Sequence, residues 1–172
     1  MSLAARQVGR GGGRKKPMER YRKESIIAAP ARAVFRWHEA PEAFEKLTPP
    51  WERVRIVERS GSGIQPGTQI TLEMRLGPLK RRWVALHTEY QAGRMFRDEQ
   101  LSGPFKYWVH THVVEVRGPQ QCLLIDEICY QLPFGLIGQL LGGWLVRRKL
   151  DRLFDYRHGV TREACERQAK QF

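Results

Sequence analysis

Apolar and polar residues alternate between Thr68 and Leu76: Thr68, Ile70, Leu72, Met74 and Leu76 share one side, and Gln69, Thr71, Glu73 and Arg75 the other. A period of two predicts a strand with one wet face. Turn signals recur at Gly77-Pro78, Ala92-Gly93, Ser102-Gly103-Pro104 and Gly118-Pro119, where glycine and proline supply the backbone angles that tight turns need. Between them lie the runs 79–91, 94–101, 105–117 and 121–132. With 53–60 and an opening segment Tyr21–Ala28, they predict about seven antiparallel strands in a meander.

Two interruptions are helical. Pro30 opens a stretch from Ala31 to Glu39 with Val34, Phe35 and Trp37 inward, and Glu42 to Leu47 forms a second short helix with Phe44 and Leu47 inward. Pro49-Pro50 ends it, because proline lacks the N–H donor. From Phe134 to about Lys170 the pattern is helical again, but its apolar residues form two stripes. Ile137, Leu141 and Trp144 share one side, and Val146, Leu150, Leu153, Val160 and Ala164 lie nearly opposite. Either the helix bends at Gly142-Gly143, or its first two turns face something other than the sheet.

A chain of 172 residues is one ordinary domain, able to bury roughly 70% of its unfolded surface. The +12 charge is uneven: residues 1–23 hold eight bases against Glu19 alone, a net of +7. Residues 1–19 are therefore expected to be a disordered basic tail, and 20–172 the single domain. Cys122, Cys129 and Cys165 are odd in number with no CxxC spacing, so neither a disulfide framework nor a Cys-rich zinc site is suggested. The longest uncharged apolar stretch, Leu132 to Val146, is shorter than the roughly 20 residues a spanning helix needs. The expectation is a soluble, cytoplasmic protein. The first residues are Arg-rich and acid-free like a transit peptide, but Gly11-Gly12-Gly13 breaks the amphipathic helix such a peptide forms.

Local motifs add a family. Phe35-Arg36-Trp37-His38 with Phe44, Leu47 and Thr48-Pro49-Pro50-Trp51-Glu52, then Gly103-Pro104-Phe105 with Trp108, His110 and His112, then Asp126-Glu127 and Leu132-Pro133-Phe134-Gly135 resemble a bacterial subgroup of the SRPBCC superfamily. That superfamily includes START, Bet v 1 and polyketide-cyclase-like proteins. The resemblance covers about residues 20–165. It implies an α+β helix-grip fold, with a curved sheet of about seven strands around the C-terminal helix and a ligand cavity between them. The motifs are specific to the fold and subgroup, not to a reaction.

Hairpin arithmetic then places side chains, since loop length fixes which residues oppose each other. Two-residue loops at Gly77-Pro78 and Ala92-Gly93 set Leu72 against Trp83, Thr68 against His87, His87 against Asp98 and Ala85 against Gln100. A three-residue loop at 102–104 sets Asp98 against Trp108 and Phe96 against His110. A bulge near Gly118-Pro119 brings Asp126 to the same face; a plain four-residue loop brings Glu127 instead. Asp126 is preferred because its face then carries Leu124, Ile128 and Tyr130. The expected ligand-binding residues are Trp83, His87, Phe96, Asp98, Gln100, Trp108, His110, His112, Asp126 and Tyr130 on the sheet, with Ile137 and Leu141 on the helix.

Several chemistries remain open. These histidines and carboxylates are either satisfied hydrogen-bond partners, a polar anchor for a ligand, or an acid–base pair such as His87 with Asp98. His110-x-His112 matches the spacing of some zinc sites, with His87 or a carboxylate as third ligand. No HExxH helix or sulfur ligand supports that, so no metal, cofactor or catalytic residue is assigned. Gly61-Ser62-Gly63-Ile64-Gln65-Pro66 misses GxGxxG at its last position, and P-loop, GxSxG and CxxC motifs are missing. Trp83, Trp108 and Trp144 read as core or cavity wall rather than a nucleobase platform.

The leading functional reading is a carrier or sensor of a small hydrophobic or lipid-like ligand. Leu136–Val146 followed by Arg147-Arg148-Lys149 and Arg152 suits transient contact with an anionic membrane. The alternatives are a polyketide-cyclase or dehydratase-like enzyme using His and Asp in the same cavity, and nonspecific binding of nucleic acid or an acidic partner through the tail. Nucleic acid is not the expected partner, and any such binding would be nonspecific because no aromatics precede Tyr21. Oligomeric state is not legible in the sequence.

Overall fold

The computed structural model describes residues 18–76, 79–133 and 135–170; residues 1–17 of the expected basic tail therefore lie outside the described residues, and Glu19 already opens the first strand. The chain runs β1 (Glu19–Ile27), α1 (Ala31–Glu39), α2 (Ala43–Lys46), β2 (Val54–Ser60), β3 (Gln69–Leu76), β4 (Leu79–Gln91), β5 (Met95–Ser102), β6 (Tyr107–Gly118), β7 (Gln121–Gln131) and α3 (Gly135–Ala169). The strands form one antiparallel sheet in the order β1-β7-β6-β5-β4-β3-β2. This is the helix-grip architecture: an antiparallel sheet, two short helices after the first strand and one long C-terminal helix.

Local chemistry explains the boundaries. The Pro30 carbonyl accepts from the N–H groups of Ala33 at 2.9 Å and Val34 at 3.2 Å, opening α1. Ala40, held extended at ψ 138° before Pro41, closes it, as a residue preceding proline disfavours the helical region. Val34, Phe35 and Trp37 are buried, as the pattern requires, and so is His38. In the single turn of α2 the fully buried residue is Ala43, while Phe44 and Leu47 are only half-buried.

The strand registers test the loop arithmetic directly. Leu72 opposes Trp83, His87 opposes Asp98 and Ala85 opposes Gln100. The β4–β5 loop nevertheless holds three residues, Gln91 facing Met95, and a bulge at Thr88 restores the expected pairing. Between β5 and β6 the loop is longer than expected, so Asp98 opposes His110 and Phe96 opposes His112, a slip of two residues from the predicted register. The reason is local: the Gln100 amide staples the loop, donating from Nε2 to the Phe105 carbonyl at 2.7 Å and accepting the Phe105 N–H at 3.3 Å. A Cβ at 103 would lie 2.3 Å from Gln100 Oε1, so a larger residue there would displace the stapling amide. A bulge between Val116 and Gly118 sets Asp126 opposite His112.

α3 continues through Gly142-Gly143 without interruption. Its inward stripe is Leu150, Phe154, His158, Thr161 and Cys165, all buried, recurring every three or four residues on one helical face. Trp144 is not part of the wall: it is 71% exposed, with the Arg148 guanidinium 5.6 Å from its ring centroid. Docking onto β1 is reinforced by an ion pair between Lys23 and Asp155 and by the Ala28 N–H donating to Glu166 Oε1 at 2.9 Å. No helix among the described residues is long and apolar enough to cross a membrane.

The core between sheet and helix has two apolar parts. One gathers Ile27, Val34, Phe35, Trp37, Phe96, Val114, Leu124 and Cys165; the other Tyr21, Trp108, Ile128, Tyr130, Leu150 and Phe154. Following any of the central elements from one part to the other crosses polar residues. On β6 these are His110 and His112, on β7 Asp126, and on α3 His158 and Thr161.

Candidate functional site

The polar residues between the two apolar parts form a connected cluster. Strand alternation puts His110 and His112 on one face of β6, and register puts Asp98 opposite the first and Asp126 opposite the second. His87 follows on β4, opposite Asp98. α3 adds His158 from its inward stripe.

Asp126 is the hub. Its Oδ1 accepts from His110 Nε2 at 2.7 Å and from His112 Nδ1 at 2.8 Å, and its Oδ2 from His158 Nε2 at 2.8 Å. Asp98 Oδ1 lies 3.3 Å from His112 Nε2 and 3.7 Å from His110 Nδ1. The two imidazoles of β6 are in contact, tilted 41° to each other with ring centroids 3.7 Å apart, and His112 stacks on Phe96 at 4.0 Å.

Two carboxylates around this pair decide where the proton sits. Burial disfavours charge on His112, but the Asp126 charge and hydrogen bonds to both carboxylates prevail and raise its pKa to about 9. For its neighbour His110, burial and then the charge on His112 win over Asp126, and the pKa falls. Burial alone would raise Asp126; the charge on His112 and three imidazole hydrogen bonds instead hold it well below the usual carboxylate range. Asp98 is lowered too, the hydrogen bond from His112 and the neighbouring imidazoles outweighing burial. Burial lowers the pKa of His87, partly offset by Asp98. Arg157 of α3, whose pKa burial lowers against the opposing charges of Asp126 and Asp98, donates from Nε to the Leu47 carbonyl at 3.3 Å.

His38 completes the set, so all five histidines of the chain converge here. Its Nδ1 donates to the Val34 carbonyl at 2.8 Å, and its ring lies 6.3 Å from Phe96. Burial lowers its pKa to about 4. The unfolded chain takes up this proton near pH 6.5, so the advantage of a neutral His38 is complete above that pH and is lost as the pH falls towards 4. This one group is expected to remove about 3 kcal/mol of stability across that interval. Unfolding curves of wild type and His38→Leu at pH 7 and pH 4.5 check it: the variant should show a shallower acid loss, and parallel losses would refute the assignment.

Of the residues expected from the sequence, His87, Phe96, Asp98, His110, His112 and Asp126 meet in this cluster. Trp83, Trp108 and Tyr130 form an aromatic group beside it with Phe105, Trp83 and Trp108 being 5.0 Å apart and Trp108 6.4 Å from His110. Gln100 is committed to the loop it staples. Ile137 and Leu141 have side chains outside the described residues. Sequence reasoning missed His38, His158, Arg157 and Phe154. The signal for His158 was helical phase, since it stands four residues after Phe154 and eight after Leu150.

Residues 27–155 match the family model described as polyketide cyclase / dehydrase and lipid transport. The chain belongs to that family. None of the curated proteins compared with it matches. Among solved structures, norcoclaurine synthase from Thalictrum flavum in complex with dopamine and hydroxybenzaldehyde is similar at 16% identity and a TM-score of 0.67, covering 96% of this chain and 98% of that one. The Zhui aromatase/cyclase from Streptomyces sp. R1128 is 16% identical with a TM-score of 0.61, covering 90% and 95%. A START superfamily protein from Mycobacterium smegmatis is 15% identical with a TM-score of 0.62, covering 88% and 97%. At these identities the likeness is one of fold.

Proposed function

We propose that the protein binds a small, mostly apolar molecule carrying one polar group, gripped between the sheet and α3, as a carrier or sensor. The observation that carries this reading is His87. Its Nδ1 is buried without a hydrogen-bond partner, on the strand face it shares with Trp83 and directly opposite Asp98. A buried polar atom left unpaired is costly, and a ligand hydroxyl or carbonyl-bearing group placed there would relieve the cost while its apolar body lies against Trp83, Phe105 and Trp108. The family's description includes lipid transport, which supports the same reading.

Exposed Trp144 and Leu145, followed by Arg147, Arg148, Lys149 and Arg152, suit brief contact with an anionic bilayer during loading. A second reading is acid–base catalysis, favoured by a neutral His110 in ring contact with a protonated His112, an acceptor and a donor side by side.

Native mass spectrometry of gently purified full-length protein, with the organic extract analysed for small molecules, tests the proposal. A stoichiometric apolar compound is expected, and His87→Phe should bind it about tenfold more weakly. A bare protein mass, together with no binding from an extract of apolar metabolites, would overturn the carrier reading. Conversion of the bound compound that stops in His110→Gln while binding persists would favour the enzyme instead.

A further inference from the structure

We propose that Asp98, His110 and His112 form a binding site for one divalent transition-metal ion of the zinc or iron(II) kind. The argument begins with Asp126, whose Oδ1 engages one ring nitrogen of each β6 imidazole, His110 Nε2 at 2.7 Å and His112 Nδ1 at 2.8 Å. The ring nitrogens left over face the other carboxylate: His112 Nε2 is 3.3 Å and His110 Nδ1 is 3.7 Å from the same oxygen, Asp98 Oδ1. Around a four-coordinate ion with bonds of about 2.1 Å, neighbouring ligand atoms stand about 3.4 Å apart. Both distances are therefore close to the edge of such a polyhedron. One ligand atom from each of the three residues falls within 4.8 Å of the others, so closing the site needs side-chain rotation rather than a change of backbone.

The surroundings supply what the ligands of a bound ion need. Imidazoles that bind a metal donate their remaining N–H to a carboxylate or carbonyl, which fixes tautomer and ring orientation. Asp126 does this for two rings at once, and His158 Nε2 at 2.8 Å anchors its other oxygen. Two nitrogens and one carboxylate oxygen suit zinc or iron(II) rather than calcium or magnesium, which prefer oxygen alone. Two carboxylates facing one imidazole pair also create a field that favours a cation. Three protein ligands leave a position for water or an incoming polar group. The inference does not depend on the ligand-binding reading, because the ion alone is the probe.

The full-length protein, stripped with a chelator, would be titrated with zinc in competition with a chromophoric chelator, and with cobalt(II) followed by absorption and proton NMR. One ion per chain is expected, with no thiolate charge-transfer band and with two exchangeable, paramagnetically shifted imidazole N–H signals, from His110 and His112. Asp126→Asn should weaken zinc binding by roughly 10–100-fold, Asp98→Asn by more, and Cys129→Ser not at all. A wild-type protein that takes up neither ion overturns the proposal. So does a thiolate band, or unchanged zinc affinity in a folded Asp98→Asn protein. If the Asp variants do not fold, the wild-type cobalt spectrum decides, and the lack of the paired N–H signals overturns it.

Discussion

Asp126→Asn is expected to lower the unfolding free energy by about 3–5 kcal/mol, the range for breaking a buried ion pair from one side. The carboxylate accepts from three imidazoles, and the amide that replaces it carries no charge and offers only one oxygen. The proton on His112 then loses its strongest counter-charge while remaining buried, so the imidazole must either stay charged at a cost or release its proton. The pair is coupled, and Asp126→Asn combined with His112→Gln should be less destabilised than the sum of the single changes, by about 1–3 kcal/mol. Urea unfolding of the four proteins measures both quantities. A single-variant loss below about 1 kcal/mol would mean that the imidazoles are held by something other than Asp126.

Phe154→Ala should be as damaging by a different route, with a loss of about 3–5 kcal/mol. Phe154 is 1% exposed and lies 5.4 Å from Tyr21 and 5.3 Å from His110 between ring centroids, so it joins α3 to β1 and β6 at once. Removing the ring takes apolar contact from both strands and opens space beside the histidines. The urea slope should stay as in wild type while the midpoint falls, since the surface exposed on unfolding changes little. A loss under about 2 kcal/mol would show that α3 settles onto the sheet without it.

Much of the fold was legible because alternation and turn residues report directly on strands and their limits. β3 and β4, α1 and the start of β7 fall where the pattern puts them. Loop lengths were less legible. The β4–β5 connection holds one residue more than its Ala92-Gly93 signal suggests, and a bulge at Thr88 cancels the error. The β5–β6 loop has no such compensation, because the hydrogen bonds of Gln100 to Phe105 that stabilise it leave no mark in the hydrophobic pattern. The two-residue slip kept every side chain on the expected face, so the inward set was readable even where its pairing was not. The helical contribution was hidden for another reason: histidine counts as polar in a hydrophobic-stripe search, so His158 and His38 dropped out of stripes to which their phase assigns them.

The polar layer across the core also acts as a gauge of alignment. Sliding β6 by two residues against β5 would leave an apolar alternation that still faces inward, so burial of apolar surface does little to oppose the slip. It would, however, set Trp108 against Asp98 and part that carboxylate from the two β6 imidazoles it now faces, leaving it His87 alone. The same holds for α3: displaced by one turn, it would still offer the sheet an apolar side chain, Phe154, at the height of Asp126, but no donor for Oδ2. The histidines and aspartates thus give a sheet of interchangeable alternating strands a single permitted alignment.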